Sequence, residues 1–129
     1  MSKVICLWAS PRNISTALMY SFAQRSDVKV LDEPFYAYYL KHTNLNHPMK
    51  EEIINTYPFE EKEIINLITK NDDNYKIFYQ KHMTHHILDE TNLEWINKGL
   101  NCFLIRDPAK VIVSYIKKNT LRSIKDVGF

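Results

Sequence analysis

Two apolar runs set what this chain can fold into. Val4-Ile5-Cys6-Leu7-Trp8 leads into Ser10-Pro11-Arg12-Asn13-Ile14-Ser15-Thr16-Ala17-Leu18, and Cys102-Phe103-Leu104-Ile105 leads into Arg106-Asp107-Pro108. Both runs are short and continuous, the pattern of a strand buried on both faces. Each delivers an arginine to its carboxyl end, and a helical pattern begins within a few residues. That geometry gathers a permanent cation, hydroxyls and free helix N–H groups around one crevice, which suits an anionic ligand.

The rest of the chain keeps alternating. Ser15 to Arg25 is helical in pattern, with Leu18, Met19 and Phe22 apolar. Val28 to Leu31 reads as a second strand closed by Asp32-Glu33-Pro34. Residues 35–58 are aromatic-rich and punctuated by Pro48 and Pro58, with short helices expected around 35–41 and 49–55. Glu60 to Lys70 sets Ile64, Ile65, Leu67 and Ile68 on one helical face. Lys76 to Gln80 and Asn101 to Ile105 read as the third and fourth strands, with two helical turns or short helices over 84–97. Val111, Ile112, Tyr115 and Ile116 mark a helix from Pro108 to about Lys118, for which Asp107 suits the N-cap and Pro108 the first helical position. Alternating strands and helices predict an α/β fold, a parallel sheet with helices on both faces.

All four strands end in polar residues: Ser10-Pro11-Arg12, Asp32-Glu33-Pro34, Gln80-Lys81-His82 and Arg106-Asp107-Pro108. Ligands of open α/β sheets bind outside the carboxyl ends of the strands, so one shared site is expected there.

At 129 residues and 15.3 kDa the chain is expected to form one domain with a single core. A net charge of +2 does not point to nucleic acid. The charge is uneven: residues 50–73 hold seven acids against three lysines, whereas residues 98–129 hold seven Lys/Arg against Asp107 and Asp126. A basic last third favours an anionic ligand, although solvated lysines on helix faces explain most such runs. Cys6 and Cys102 sit inside apolar runs and read as small buried residues of a reducing compartment, not a disulfide or metal pair. No signal segment or membrane-length apolar run is present, so the expected location is the cytoplasm, without a membrane partner.

A Walker-type phosphate loop needs glycines and a Lys-Ser/Thr pair. The two glycines, Gly99 and Gly128, are far from the first strand, which disfavours ATP or GTP hydrolysis. The loop instead offers Arg12, Asn13, Ser15 and Thr16. Arg12 suits a forked contact to phosphate or sulfate oxygens. Ser15 and Thr16 place hydroxyls and N–H groups where the helix dipole favours negative charge. Asn13 tolerates left-handed backbone; Ile14 does not. The plainer alternative has Ser15 capping the helix and Arg12 solvated.

In combination these segments resemble the sulfotransferases that use 3′-phosphoadenosine-5′-phosphosulfate (PAPS). The stretches Pro11–Leu18, Asp32–Leu40, Tyr79–His86 and Leu104–Pro108 are similar to those of a bacterial group in that family, and to segments fused to aminotransferase-like domains in plants. The resemblance covers nearly the whole chain. It implies a three-layer P-loop-type fold with four parallel strands in the order 2-3-1-4. It also implies PAPS as sulfuryl donor, with no metal, and a hydroxyl or amine acceptor of unknown identity. Arg12, Asn13, Ser15 and Thr16 would hold the 5′-phosphosulfate, and Arg106 and Ser114 the 3′-phosphate. Ser114 as a core-edge serine is the plainer alternative. The sequence departs from the family pattern at Arg12, where many members have Lys, and at Ile14, where they have Gly. Members also run to roughly twice this length, so the chain is expected to be the amino-terminal part of the fold, completed by a further segment or a partner chain.

Sulfuryl transfer needs a base on the acceptor, cations on the transferring group and leaving phosphate, and exclusion of water. Glu33, at the end of the second strand, is the first candidate base; a dipole-stabilising carboxylate is its plainer role. His82 is the second candidate, since other sulfotransferases carry Lys-x-His on the corresponding strand, although here the register differs. Lys81 could neutralise the leaving phosphate. Phe35, Tyr36, Tyr38 and Tyr39 could line an acceptor pocket or pack a short helix. His82, His85 and His86 lack the acidic or cysteine partner of a metal site, and His85 and His86 read as packing or hydrogen-bonding residues near the site. A noncatalytic anion-binding module is the alternative function, and a small phosphotransferase a third.

Overall fold

A computed structural model describes residues 1–129. The first apolar run forms β1 (Lys3–Ala9) and the last forms β4 (Leu100–Leu104), with β2 (Val28–Asp32) and β3 (Ile77–Met83) between them in the chain. The four strands make one parallel sheet in the order β2-β3-β1-β4, the order expected. Five helices flank it: α1 (Ser15–Ala23), α2 (Tyr36–Thr43), α3 (Lys50–Thr56), α4 (Glu61–Thr69) and α5 (Pro108–Ile116). None is long and apolar enough to cross a membrane.

The alternation of side chains along a strand divides the core in two. On one face Leu7, Val28 and Tyr79 pack against Met19 of α1, with Phe22 stacked on Tyr79 at 4.4 Å between ring centroids. On the other, Cys6 and Trp8 pack with Phe35 and Tyr38, Ile64 and Ile68 of α4, and Trp95. The apolar period read over residues 60–70 thus faces the core through Ile64 and Ile68.

Two features differ from expectation, the end of β3 and a turn near the carboxyl end. β3 continues through Lys81, His82 and Met83, which pair with Leu7, Trp8 and Ala9 of β1. Polar residues read as a strand end; here they are held inside the sheet because their polar atoms find partners. The two helical turns expected over 84–97 are there as 3-10 turns, Thr84–His86 and Glu94–Lys98, whereas a third turn, Ile124–Val127, carries no apolar period that would announce it. Ser123 and Asp126 close a capping box around that third turn. Gly128 ends it at φ 75, and a Cβ there would lie 1.9 Å from Thr84 Oγ1, so only glycine fits.

Candidate anion-binding site

The loop after β1 carries unusual backbone. Arg12 (φ 63) and Ile14 (φ 49) are left-handed, flanking Asn13. Sequence reasoning assigned left-handed tolerance to Asn13 and not to Ile14, and the structure reverses this. The reason is the side chain: buried Asn13 donates from Nδ2 to the Leu104 carbonyl at 2.6 Å, tying the loop to the end of β4. Alternation of left-handed with other residues is how successive N–H groups form an anion-binding concavity. Ile14 holds the N-cap position of α1 without any side-chain cap, so Ser15 is the first helical residue and not the cap. The leading N–H groups of α1 therefore have no intrahelical or capping side-chain partner.

The second motif closes onto the first. Asp107 caps α5 by accepting from Ala109 N at 2.9 Å, with Pro108 at the first helical position, as the sequence indicated. Arg106 Nη1 donates to the Arg12 carbonyl at 2.6 Å, and Arg12 Nε donates to Ser114 Oγ at 3.0 Å.

Lys81 forms the floor. It is only 2% exposed, and its Nζ donates to Thr16 Oγ1 (3.0 Å), Asp32 Oδ1 (2.9 Å) and Glu33 Oε1 (2.8 Å). Burial alone would lower its pKa. The hydrogen bonds and charges of Glu33 and Asp32 together outweigh that, and the net shift is upward. Arg12, Asn13, Ser15, Thr16, Glu33, Lys81, Arg106 and Ser114 line one crevice of about 420 Å³ at the carboxyl ends of the strands.

His82 is not brought there. Side chains alternate along β3, so Lys81 faces the crevice while His82 points to the opposite side. It is 1% exposed and stacks on Trp8 at 4.6 Å, with Nε2 against Gln80 Oε1 at 3.1 Å. Burial pushes its pKa down to about 3, so it is a neutral packing group. Phe35 and Tyr38 likewise belong to the core, and Tyr36 stacks on His86 at 4.9 Å. A larger cavity, about 630 Å³, lies beside the turn at Thr84–His86 and is lined by Tyr39, His85 and Arg122. Its cations are already paired, Arg122 with Asp126 and Lys125 with Asp89, so it offers an anion less than the crevice does.

Asp32 is the residue that sequence reasoning left without a role at the site. The signal was present: with β2 beside β3, a carboxylate ending β2 stands next to the lysine of β3.

The strand ends of this parallel sheet gather two guanidinium groups, an ammonium and hydroxyls around one crevice, a donor set whose chemistry suits an anionic group. The family model for the sulfotransferase domain matches residues 2–129, and the chain belongs to that family. It is also 36% identical over 115 residues to branched-chain-amino-acid aminotransferase-like protein 2 of Arabidopsis thaliana. With aminotransferase-like protein 1 of the same plant it shares 35% over 115 residues. Each match covers 89% of this chain and 21% of the relative, so the chain spans about a fifth of the length of these relatives. No solved structure matches the chain significantly.

Proposed function

We propose that the chain binds PAPS and transfers its sulfuryl group to a hydroxyl or amine acceptor. The observation that carries this reading is the closure of the two arginine motifs on each other above the buried Lys81. The donor set fits a phosphosulfate: two guanidinium groups, one ammonium, the hydroxyls of Ser15 and Thr16, and the uncapped start of α1. Arg12, Asn13, Ser15 and Thr16 would hold the 5′ end of the donor, and Arg106 with Ser114 its 3′-phosphate. The donor supplies an activated sulfuryl group on a phosphate leaving group. Glu33 would take the acceptor's proton as the acceptor–sulfur bond forms and the sulfur–oxygen bond to phosphate breaks. Lys81 and Arg12 would hold the charge that builds on the leaving phosphate. Free Cys6 and Cys102 suit a reducing compartment such as the cytoplasm.

Calorimetry with adenosine 3′,5′-bisphosphate (PAP) against ATP tests the reading. Folded wild-type protein is expected to bind PAP in preference to ATP, and Arg106→Ala to weaken PAP binding about tenfold. No PAP binding by the folded protein would sink the proposal. A noncatalytic anion-binding role is the second reading, favoured by the exposure of Arg12 and Arg106 on the open side of the crevice, where water is not excluded. PAP binding without turnover on any acceptor would select it.

A further inference from the structure

Lys81 has no spare hydrogen-bond donor. An ammonium carries three N–H groups, and Thr16, Asp32 and Glu33 engage all of them. A phosphate oxygen that reaches Lys81 must displace one of the three. The two carboxylates are held differently. Asp32 is the last residue of β2 and stands directly opposite Lys81 in the ladder, so the sheet fixes its backbone. Glu33 lies one residue beyond the ladder, its N–H still donated to the Lys81 carbonyl at 2.9 Å. But it sits at φ 45, a left-handed conformation that a non-glycine residue adopts at a cost, and it, unlike Asp32, lines the crevice.

We infer that Asp32 is a positioning residue: it keeps the Lys81 ammonium fixed at the crevice while Glu33 surrenders its N–H to an incoming phosphate oxygen. This rests on the donor reading above. The exchange replaces one anionic acceptor by another on the same buried ammonium, so the charge is never left unpaired. Glu33, once released, is free to meet the acceptor. Donor binding and unmasking of the base are thereby one event, and Asp32 is the partner that does not move.

Removing either carboxylate's charge makes the crevice more positive. If both were bystanders, Asp32→Asn and Glu33→Gln would therefore tighten anion binding alike. The positioning role requires opposite signs. Calorimetry on the full chain with PAP is expected to show about tenfold tighter binding by Glu33→Gln and about tenfold weaker binding by Asp32→Asn. Adenosine 3′-phosphate, which lacks the 5′-phosphate, is expected to bind both variants and wild type equally. Asp32→Glu is expected to restore part of the PAP affinity. Thermal melts check folding, and Asp32→Ser replaces the asparagine variant if that one does not fold. Equal tightening by both variants overturns the inference, as does an equal loss for both ligands, which would mark a merely structural role. Failure of folded wild type to bind PAP overturns the donor reading and this inference with it, whereas the other outcomes bear on Asp32 alone.

Discussion

Ile14 holds a backbone conformation its side chain resists. It is β-branched, sits at φ 49 and is 78% exposed, so its side chain contributes little packing in return. Strain of about 1–3 kcal/mol at such a residue exceeds the roughly 0.5–1 kcal/mol of extra chain entropy that glycine would lose on folding. Ile14→Gly is therefore expected to stabilise the protein by about 1 kcal/mol, read as a higher urea midpoint with unchanged slope. A lower midpoint would show that the loop needs the isoleucine. Part of this scale was legible: Arg12 and Arg106 stand out at the strand ends and the family resemblance adds Ser114, and in the structure Arg12 bonds each of the other two. What was not legible is which atoms are already engaged. Nothing in the order of residues shows that Asn13 bonds the end of β4, or that Lys81 also engages Thr16 and so has every N–H taken.

The turn at Thr84–His86 shows the same limit for an element. His85 and His86 each bury an Nδ1 without a hydrogen-bond partner. Burial, with the neighbouring charge of His47, pushes the His85 pKa down to about 4, and burial pushes that of His82 down to about 3. In the unfolded chain both titrate near their ordinary value of about 6.5. The unfolded state therefore binds more protons below that value, and stability present above it is lost as pH falls toward 4. The free energy of unfolding is expected to fall by a few kcal/mol between pH 7 and 4.5, and His85→Gln to flatten the slope. A flat wild-type profile would show that these imidazoles protonate in the folded state. Strand and helix number were readable because apolar runs and periods announce them, and the strand order followed from the family resemblance. The end of β3 was not, because Lys81 and His82 resemble a polar terminus until their neighbours are known.

For the whole molecule, the polar ends of the strands do converge on one crevice, the geometry that ligands of open α/β sheets use. The surface is less balanced. β4 is an edge strand without a charged residue, and Phe103 (66% exposed) and Ile105 (88% exposed) stand out beside it, with Val113 and Ile116 of α5 also exposed. An uncharged apolar edge promotes association. Phe103→Lys is expected to raise the concentration at which light scattering detects aggregates, and no change would acquit the edge. The alternation along β3 has a consequence of another kind. Lys81 and His82 are chain neighbours, yet one faces two carboxylates and the other faces tryptophans. A slip of one residue in the central pairing would exchange them, setting an ammonium among indoles and an imidazole in the crevice. The adjacent pair thus acts as a checksum on folding: a sheet assembled out of register fails in its core and at its site together.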